Sequence, residues 1–222
     1  MSRSLHEPRW TGSPGRGPDA LSATVCLVSP GHVATNPRLV KEADALCAAG
    51  FRVRVVAADY WPAFRPLDDA VLAGAPWEFR KVPLGEGLRR RLRALRRRVC
   101  SWLVWRASIP SLRGALWAES DLVGRLAAAA AEKPADLYLG RYLPGLAAAA
   151  HAAGAHRAAL GFDAEDSHVD ELDDTPVWAG RRKARGLIER TFLPRCRHLT
   201  AASPGIADAL CRRRYNPPFG PA

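Results

Sequence analysis

The sequence predicts an α/β protein built on a doubly wound, mostly parallel sheet. Three observations carry this. Short apolar, β-branched runs recur along the chain: TVCLVS from Thr24, FRVRVVAAD from Phe51, WEFRKVPL from Trp77, DLYLGRY from Asp136, RAALGFDA from Arg157 and HLTAAS from His198. Helical periodicity fills the intervals between most of them. Gly, Pro and Asn mark the joints. Strands alternating with helices imply right-handed βαβ units and a sheet covered on both faces.

At 222 residues the chain suits one large domain with tails. Residues 1–22 are rich in Pro, Gly, Ser and Arg without periodicity and read as a disordered leader. The domain is expected over 23–214. After the first strand, Asn36 is placed to N-cap a helix with Pro37 at its first position, and Gly50 ends that helix. A basic helix is expected after the third strand, followed by one long helix through SLRGALWAESDLVGRLAAAAAEKP. Helices over LPGLAAAAHAAG and around Gly180–Leu193 flank the fifth strand. Ser203 caps a last helix that begins PGIADAL.

The formal charge is +11, from 33 basic and 22 acidic residues, and the basic residues are nearly all arginine. Codon bias of a GC-rich genome accounts for part of this. Attraction to phosphates, acidic sugars or an anionic membrane is the functional account. The five cysteines are scattered, with no C-x-x-C, so neither a disulfide framework nor a zinc site is expected and a cytoplasmic location fits. No apolar run is long enough to cross a bilayer.

In such sheets ligands bind beyond the carboxyl ends of the strands, which selects the loops to read. The first is SPGHVATNPR, with Gly31, His32, Asn36 and Arg38. A loop running into a helix N-terminus offers N–H groups and a positive dipole end to an anion, and Arg38 adds a cation. Gly31 stands alone, so neither a dinucleotide fingerprint nor a P-loop is present. The plain alternative is an ordinary strand–helix connection. The second loop, GFDAEDSH, puts Asp163, Glu165, Asp166 and His168 within six positions. Carboxylates beside an imidazole divide acid and base roles or hold sugar hydroxyls, and no metal is expected. A solvated acidic surface loop has the same composition. Arg141 and Tyr142 face the same rim. Arg141 is suited to grip a phosphate or carboxylate, or else to pair with the acidic loop.

The segment GLRRRLRALRRRVCSWLVWR repeats apolar residues at Leu88, Leu92, Leu95, Val99 and Leu103. Arg89, Arg90, Arg93, Arg96 and Arg97 fill much of the rest, with Trp102 and Trp105 near its end. An amphipathic helix of this kind either docks on anionic lipid or packs its leucines on the sheet and solvates its arginines. The packed helix is the simpler expectation. No nucleic-acid motif accompanies the charge, so no specific nucleic acid is expected.

Taken in order, LVSPGHVATNPRLVKEADALCAAGFRVRVVAAD, ADLYLGRYLPGLAAAA, GFDAEDSH and IERTFLPRCRHLTAASPGIADAL resemble the N-terminal, acceptor-side domain of a family 4 glycosyltransferase of the GT-B type. The resemblance implies a Rossmann-like half of a GT-B architecture. It implies retaining transfer of a sugar from a nucleotide-activated donor to a lipid or glycan acceptor, with no essential metal or other cofactor. It places Gly31, His32, Asn36, Arg38, Arg141, Tyr142, Glu165, Asp166 and Ser203 toward donor phosphates or acceptor, with Asp163 and His168 near the reacting sugar. Two departures stand out. Where many members carry a histidine at the end of the strand matching RAALGFDA this chain has Asp163, with His168 five residues later, and the usual glycine pair after the first strand is missing. The family's donor-binding domain is also absent, so residues 215–222 read as a truncated linker and a separately encoded donor domain becomes an expected partner. Weak or no activity alone is expected, on the inner face of a membrane if the basic helix docks. The remaining classes are a non-catalytic acceptor- or surface-binding module, and an unrelated basic α/β protein that binds nucleic acid or membrane.

Overall fold

The computed structural model describes residues 23–84, 87–107 and 111–212. The expected leader (1–22) and linker (215–222) lie outside them, as do the side chains of Leu88, Arg89, Arg90 and Trp105. Among the described residues, six parallel strands form one sheet in the order β3-β2-β1-β4-β5-β6. They are β1 (Thr24–Ser29), β2 (Arg52–Asp59), β3 (Glu78–Pro83), β4 (Leu137–Arg141), β5 (Ala159–Ala164) and β6 (His198–Ala201). The strand order reverses between β1 and β4. The fold is Rossmann-like, as the alternation of strands and helices predicts.

β1 is buried from Val25 to Ser29 because a parallel sheet is covered on both faces. Residues alternate between the two sides. Val25, Leu27, Val53, Val55 and Leu139 meet α1 (Pro37–Ala48), with Trp77 beside them, and α2 (Arg65–Leu72) adds Val71 and Leu72 at the margin. Cys26, Val28, Val56, Tyr138, Leu160 and Phe162 meet the larger layer opposite. That layer holds α4 (Leu112–Glu119), α5 (Val123–Ala131), α6 (Tyr142–His156) and α7 (Pro176–Phe192), with α3 (Gly87–Ala107) outside it. α8 (Pro204–Arg212) follows β6.

The cap on α1 is as expected: the Asn36 Oδ1 accepts from the Leu39 N–H at 2.9 Å, and Pro37 opens the helix. The single helix expected over 111–134 is two. Ser120 is extended, and its hydroxyl accepts from the Leu122 N–H at 3.1 Å, which ends α4 and starts α5 in a new direction. α2 has no counterpart in the sequence reading.

The larger correction concerns α3. Leu92, Leu95, Val99, Trp102 and Leu103 point outward, each 48–59% exposed. The inner side is instead Arg93, Cys100, Ser101 and Val104. Arg93 pairs with Asp121, Arg96 lays its guanidinium 3.4 Å from the Trp117 ring centroid, and Ser101 donates to the Ala118 carbonyl. The helix is amphipathic, but it packs through its polar side.

At the reversal, α6 lies directly on the backbone of β1 and β4. A Cβ on Gly140 would sit 2.5 Å from Leu146 N and Cα, and one on Gly145 would sit 2.6 Å from the Val28 carbonyl oxygen. Only backbone stands in the way, so neither contact relaxes by a rotamer change. Gly140→Ala is expected to cost roughly 1–3 kcal/mol by overpacking. Thermal unfolding should read this as a melting temperature lower by several degrees; an unchanged melt would show that α6 does not rest on β4 this closely.

Candidate functional site

Four elements meet at the carboxyl edge where the strand order reverses: the β1–α1 loop, the end of β4, the end of β5 with its following loop, and the start of α1. Arg141 ends β4 and stands in register with Asp163, the penultimate residue of β5. The Arg141 guanidinium is fully buried. It pairs with Glu42 of α1 at 2.5 Å, with Asp163 at 2.9 Å and with Glu165. Asp163 is itself 1% exposed and accepts from both Nε and Nη2 of Arg38 at 2.9 Å, and from the Thr200 hydroxyl of β6 at 2.6 Å. Asn36 donates to Glu165 at 3.1 Å. Arg38, Asn36, Arg141, Asp163 and Glu165 thus form one network. Of these, Arg38 is the cation with open surface, its side chain 44% exposed in the first turn of α1.

Arg141 does not line the surface. Of the two expectations for it, pairing with the acidic loop holds, because desolvating a guanidinium requires carboxylates around it. Its Nε has no hydrogen-bond partner.

His32 is also inside rather than on the rim. Its Nδ1 lies 2.6 Å from the Asp68 carboxylate, while Nε2 accepts from the backbone N–H of Trp61 at 2.9 Å. That acceptor role puts the ring proton on Nδ1. Asp68 also accepts from the Ala34 N–H at 2.9 Å. Both ring nitrogens are engaged, so His32 offers neither to a ligand; it joins the β1–α1 loop, the β2–α2 loop and α2. Gly31 donates to Ser29 at 3.3 Å within the same loop. The loop held by His32 presents Tyr60 and Trp61, 39% and 57% exposed, with Trp61 edge-on to Phe64. These aromatics carry a signal legible in the sequence: Tyr60 and Trp61 directly follow the aspartate that ends β2.

Tyr142 follows Arg141 with φ +54°, a left-handed conformation unusual for a side chain of this size. It turns the chain from β4 straight into α6. Burial pushes its phenol up to about 12, helped by the neighbouring Glu165 carboxylate. His168 stands beside it, ring centroids 5.9 Å apart, with Nδ1 3.4 Å from Glu171 and a buried Nε2 that has no partner. Asp166, His168 and Glu171 bring their ligand atoms within 4.8 Å of one another. Arg185 already neutralises Glu171 at 3.0 Å and donates to the His168 carbonyl, so the cluster has its cation. Ser203 lies beyond the end of β6, and its hydroxyl accepts from the Ile206 N–H at 3.3 Å, as the cap of α8.

No family model matches the chain, and no curated protein matches it. Among solved structures, it is similar to the glycotransferase of kitacinnamycin (16% identity, TM-score 0.39, covering 78% of this chain and 40% of that one). It is also similar to a short-chain dehydrogenase/reductase from Burkholderia phymatum in complex with NAD (13% identity, TM-score 0.36, covering 88% of this chain and 72% of that one). The chain spans less than half of the first. Likeness at this level carries no argument about chemistry.

Two measurements check the network. Asp163→Asn leaves Arg141 short of a buried counter-charge, and breaking such a pair costs roughly 3–5 kcal/mol, whereas Arg38→Ala removes a partly exposed pair of about 1 kcal/mol or less. Denaturant unfolding should therefore rank Asp163→Asn well below Arg38→Ala in stability; equal losses would mean that Arg141 does not depend on Asp163. The second concerns pH. Tyr142 holds its proton to about 12 in the folded chain against 10.0 ordinarily. Its contribution to stability is thus complete below pH 10 and is lost as pH rises toward 12. Tyr142→Phe should lack that part of the alkaline loss, and a difference between the two proteins that does not vary with pH would show that the folded chain does not hold this proton.

Proposed function

We propose that this carboxyl edge is the acceptor-side half of a GT-B-type glycosyltransferase cleft, acting on a nucleotide-activated sugar. One observation carries the reading: Arg38, half exposed at the N-terminus of α1 and held there by Asp163, at the point where the sheet changes direction. Transfer of a glycosyl group leaves negative charge on the departing diphosphate. A guanidinium and a helix N-terminus fixed in advance stabilise that charge without reorganising. Asp163 is too deeply engaged to exchange protons with substrate, so its role here is to aim Arg38. Glu165, which Asn36 holds in place, is suited to sugar hydroxyls, and Tyr60 and Trp61 offer apolar ring faces to an acceptor. His168 keeps a ring nitrogen without a partner, but that nitrogen is buried beside Tyr142, so His168 supports this edge and does not meet substrate directly. The order of sequence segments described above supports the same reading. In the GT-B type a second domain completes the donor site, and the proposal expects one, on this polypeptide or another.

Binding tests the proposal without turnover. The purified chain, titrated calorimetrically with nucleoside diphosphate sugars, should bind at least one of them. Arg38→Ala should weaken that binding by about tenfold, as expected for loss of a charge-assisted contact of about 1.4 kcal/mol. Trp61→Ala should instead weaken binding of a glycan or glycolipid acceptor and leave the nucleotide sugar unaffected. Nucleotide-sugar affinity that ignores Arg38, or binding of neither ligand class, would remove the assignment.

A further inference from the structure

We propose that α3 seats the protein on an anionic lipid surface. This rests on a part of the molecule separate from the carboxyl edge and does not depend on the transferase reading.

The argument starts from how the helix is turned. Leu92, Leu95, Val99, Trp102 and Leu103 share one side at helical spacing, and all are exposed. Five large apolar side chains on one outward strip are not explained by packing, because the helix already packs through Arg93, Ser101 and Val104 on its other side. Val104 reaches α4 closely at Gly114, where an added Cβ would meet it at 3.3 Å. The strip is therefore a surplus surface, and its borders say what covers it. Arg91 and Arg98 flank one side, Arg96 the other, and Arg106 falls within the strip toward the helix end. Beside Trp102 runs a groove of about 350 Å³ lined by Arg97, Arg98, Ser101, Glu119 and Arg181. Glu119 is taken up by Arg185 at 3.1 Å. Among the described residues, Arg97, Arg98 and Arg181 have no carboxylate partner.

An apolar strip bordered by Arg91 and Arg98, beside a groove whose Arg97, Arg98 and Arg181 have no carboxylate partner among the described residues, matches the boundary between acyl chains and anionic headgroups. Leucines and valine enter the acyl region, Trp102 sits at headgroup level, and the groove arginines take the lipid phosphates bidentately. A protein partner with an apolar ridge would not call for arginines along both borders, and nucleic acid would not call for the leucines. The net charge of +11 draws the protein toward the same surface at longer range.

The test is co-sedimentation of the full chain with phosphatidylcholine vesicles and with mixed phosphatidylcholine–phosphatidylglycerol vesicles, at about 0.15 M ionic strength. Binding is expected only to the mixed vesicles. Arg97→Gln, Arg98→Gln and Arg181→Gln should each lower the partition coefficient by about fivefold. Leu95→Asp combined with Val99→Asp should lower it by at least tenfold on the same vesicles, while leaving circular dichroism and the melting temperature unchanged, since both side chains are exposed. The two sets probe the strip and the groove separately, so poor folding of one leaves the other to decide. Equal binding to neutral vesicles would overturn the proposal. So would anionic binding that ignores the double aspartate variant and is matched by single-stranded RNA, which would mean a polyanion site. A concentration-dependent dimer dissolved by Leu95→Asp with Val99→Asp would overturn it as well, because the strip would then be covered by a second copy.

Discussion

A buried guanidinium at the point where the sheet changes direction organises this edge of the molecule. Arg141 sits at the end of β4 with no exposed surface, and an unpaired charge there would cost several kcal/mol. Its partners come from three other places in the chain: Glu42 in α1, Asp163 at the end of β5, and Glu165 in the loop beyond. Meeting its charge thus fixes α1, β5 and the acidic loop relative to β4. Asp163 passes the constraint outward, since the same carboxylate that satisfies Arg141 also orients Arg38 and takes the hydroxyl of Thr200. What faces solvent at this edge is consequently held by what does not.

A second buried bond does similar work on the other side of the β1–α1 loop. His32 and Asp68 lie 36 residues apart, yet with the Trp61 and Ala34 N–H groups they make a closed set of donors and acceptors. The aromatic loop after β2 takes its position from this set rather than from packing of its own, because Tyr60 and Trp61 are themselves exposed. The two buried polar clusters bracket the open end of α1, one from each side.

The strands were legible in the sequence because a parallel sheet buries both faces and leaves unbroken apolar runs such as Val25–Val28. The cap at Asn36 and the stop near Gly50 were legible because both are local chemistry. The site was legible only as a set of loops. That Arg38 meets Asp163, 125 residues later, follows from strand order, which no window of sequence contains. Glu42 reads as an ordinary solvent-side residue of α1, and its partner Arg141 is revealed only when β4 is placed beside β1. α2 was missed because Pro62 and Pro66 interrupt its approach and it spans only eight residues. α3 shows the sharpest limit. Periodicity establishes that a helix has an apolar side but not which way that side faces. Here Trp117 and Asp121 receive the arginines, and the leucines are left outside.

Two surfaces of the molecule, the carboxyl edge and the outer strip of α3, are joined by a short chain of contacts. Arg185 of α7 pairs with Glu119, which lines the groove beneath α3, and with Glu171 in the acidic loop, and it donates to the His168 carbonyl. His168 in turn stands against Tyr142, whose phenol neighbours the Glu165 carboxylate. A buried arginine with two carboxylates and a carbonyl gives little freedom to the elements it connects. The groove and the network around Arg141 are therefore fixed relative to one another through α4, α7 and the loop between β5 and α7. A partner that sets the orientation of α3 sets with it the direction in which Arg38, Tyr60 and Trp61 face.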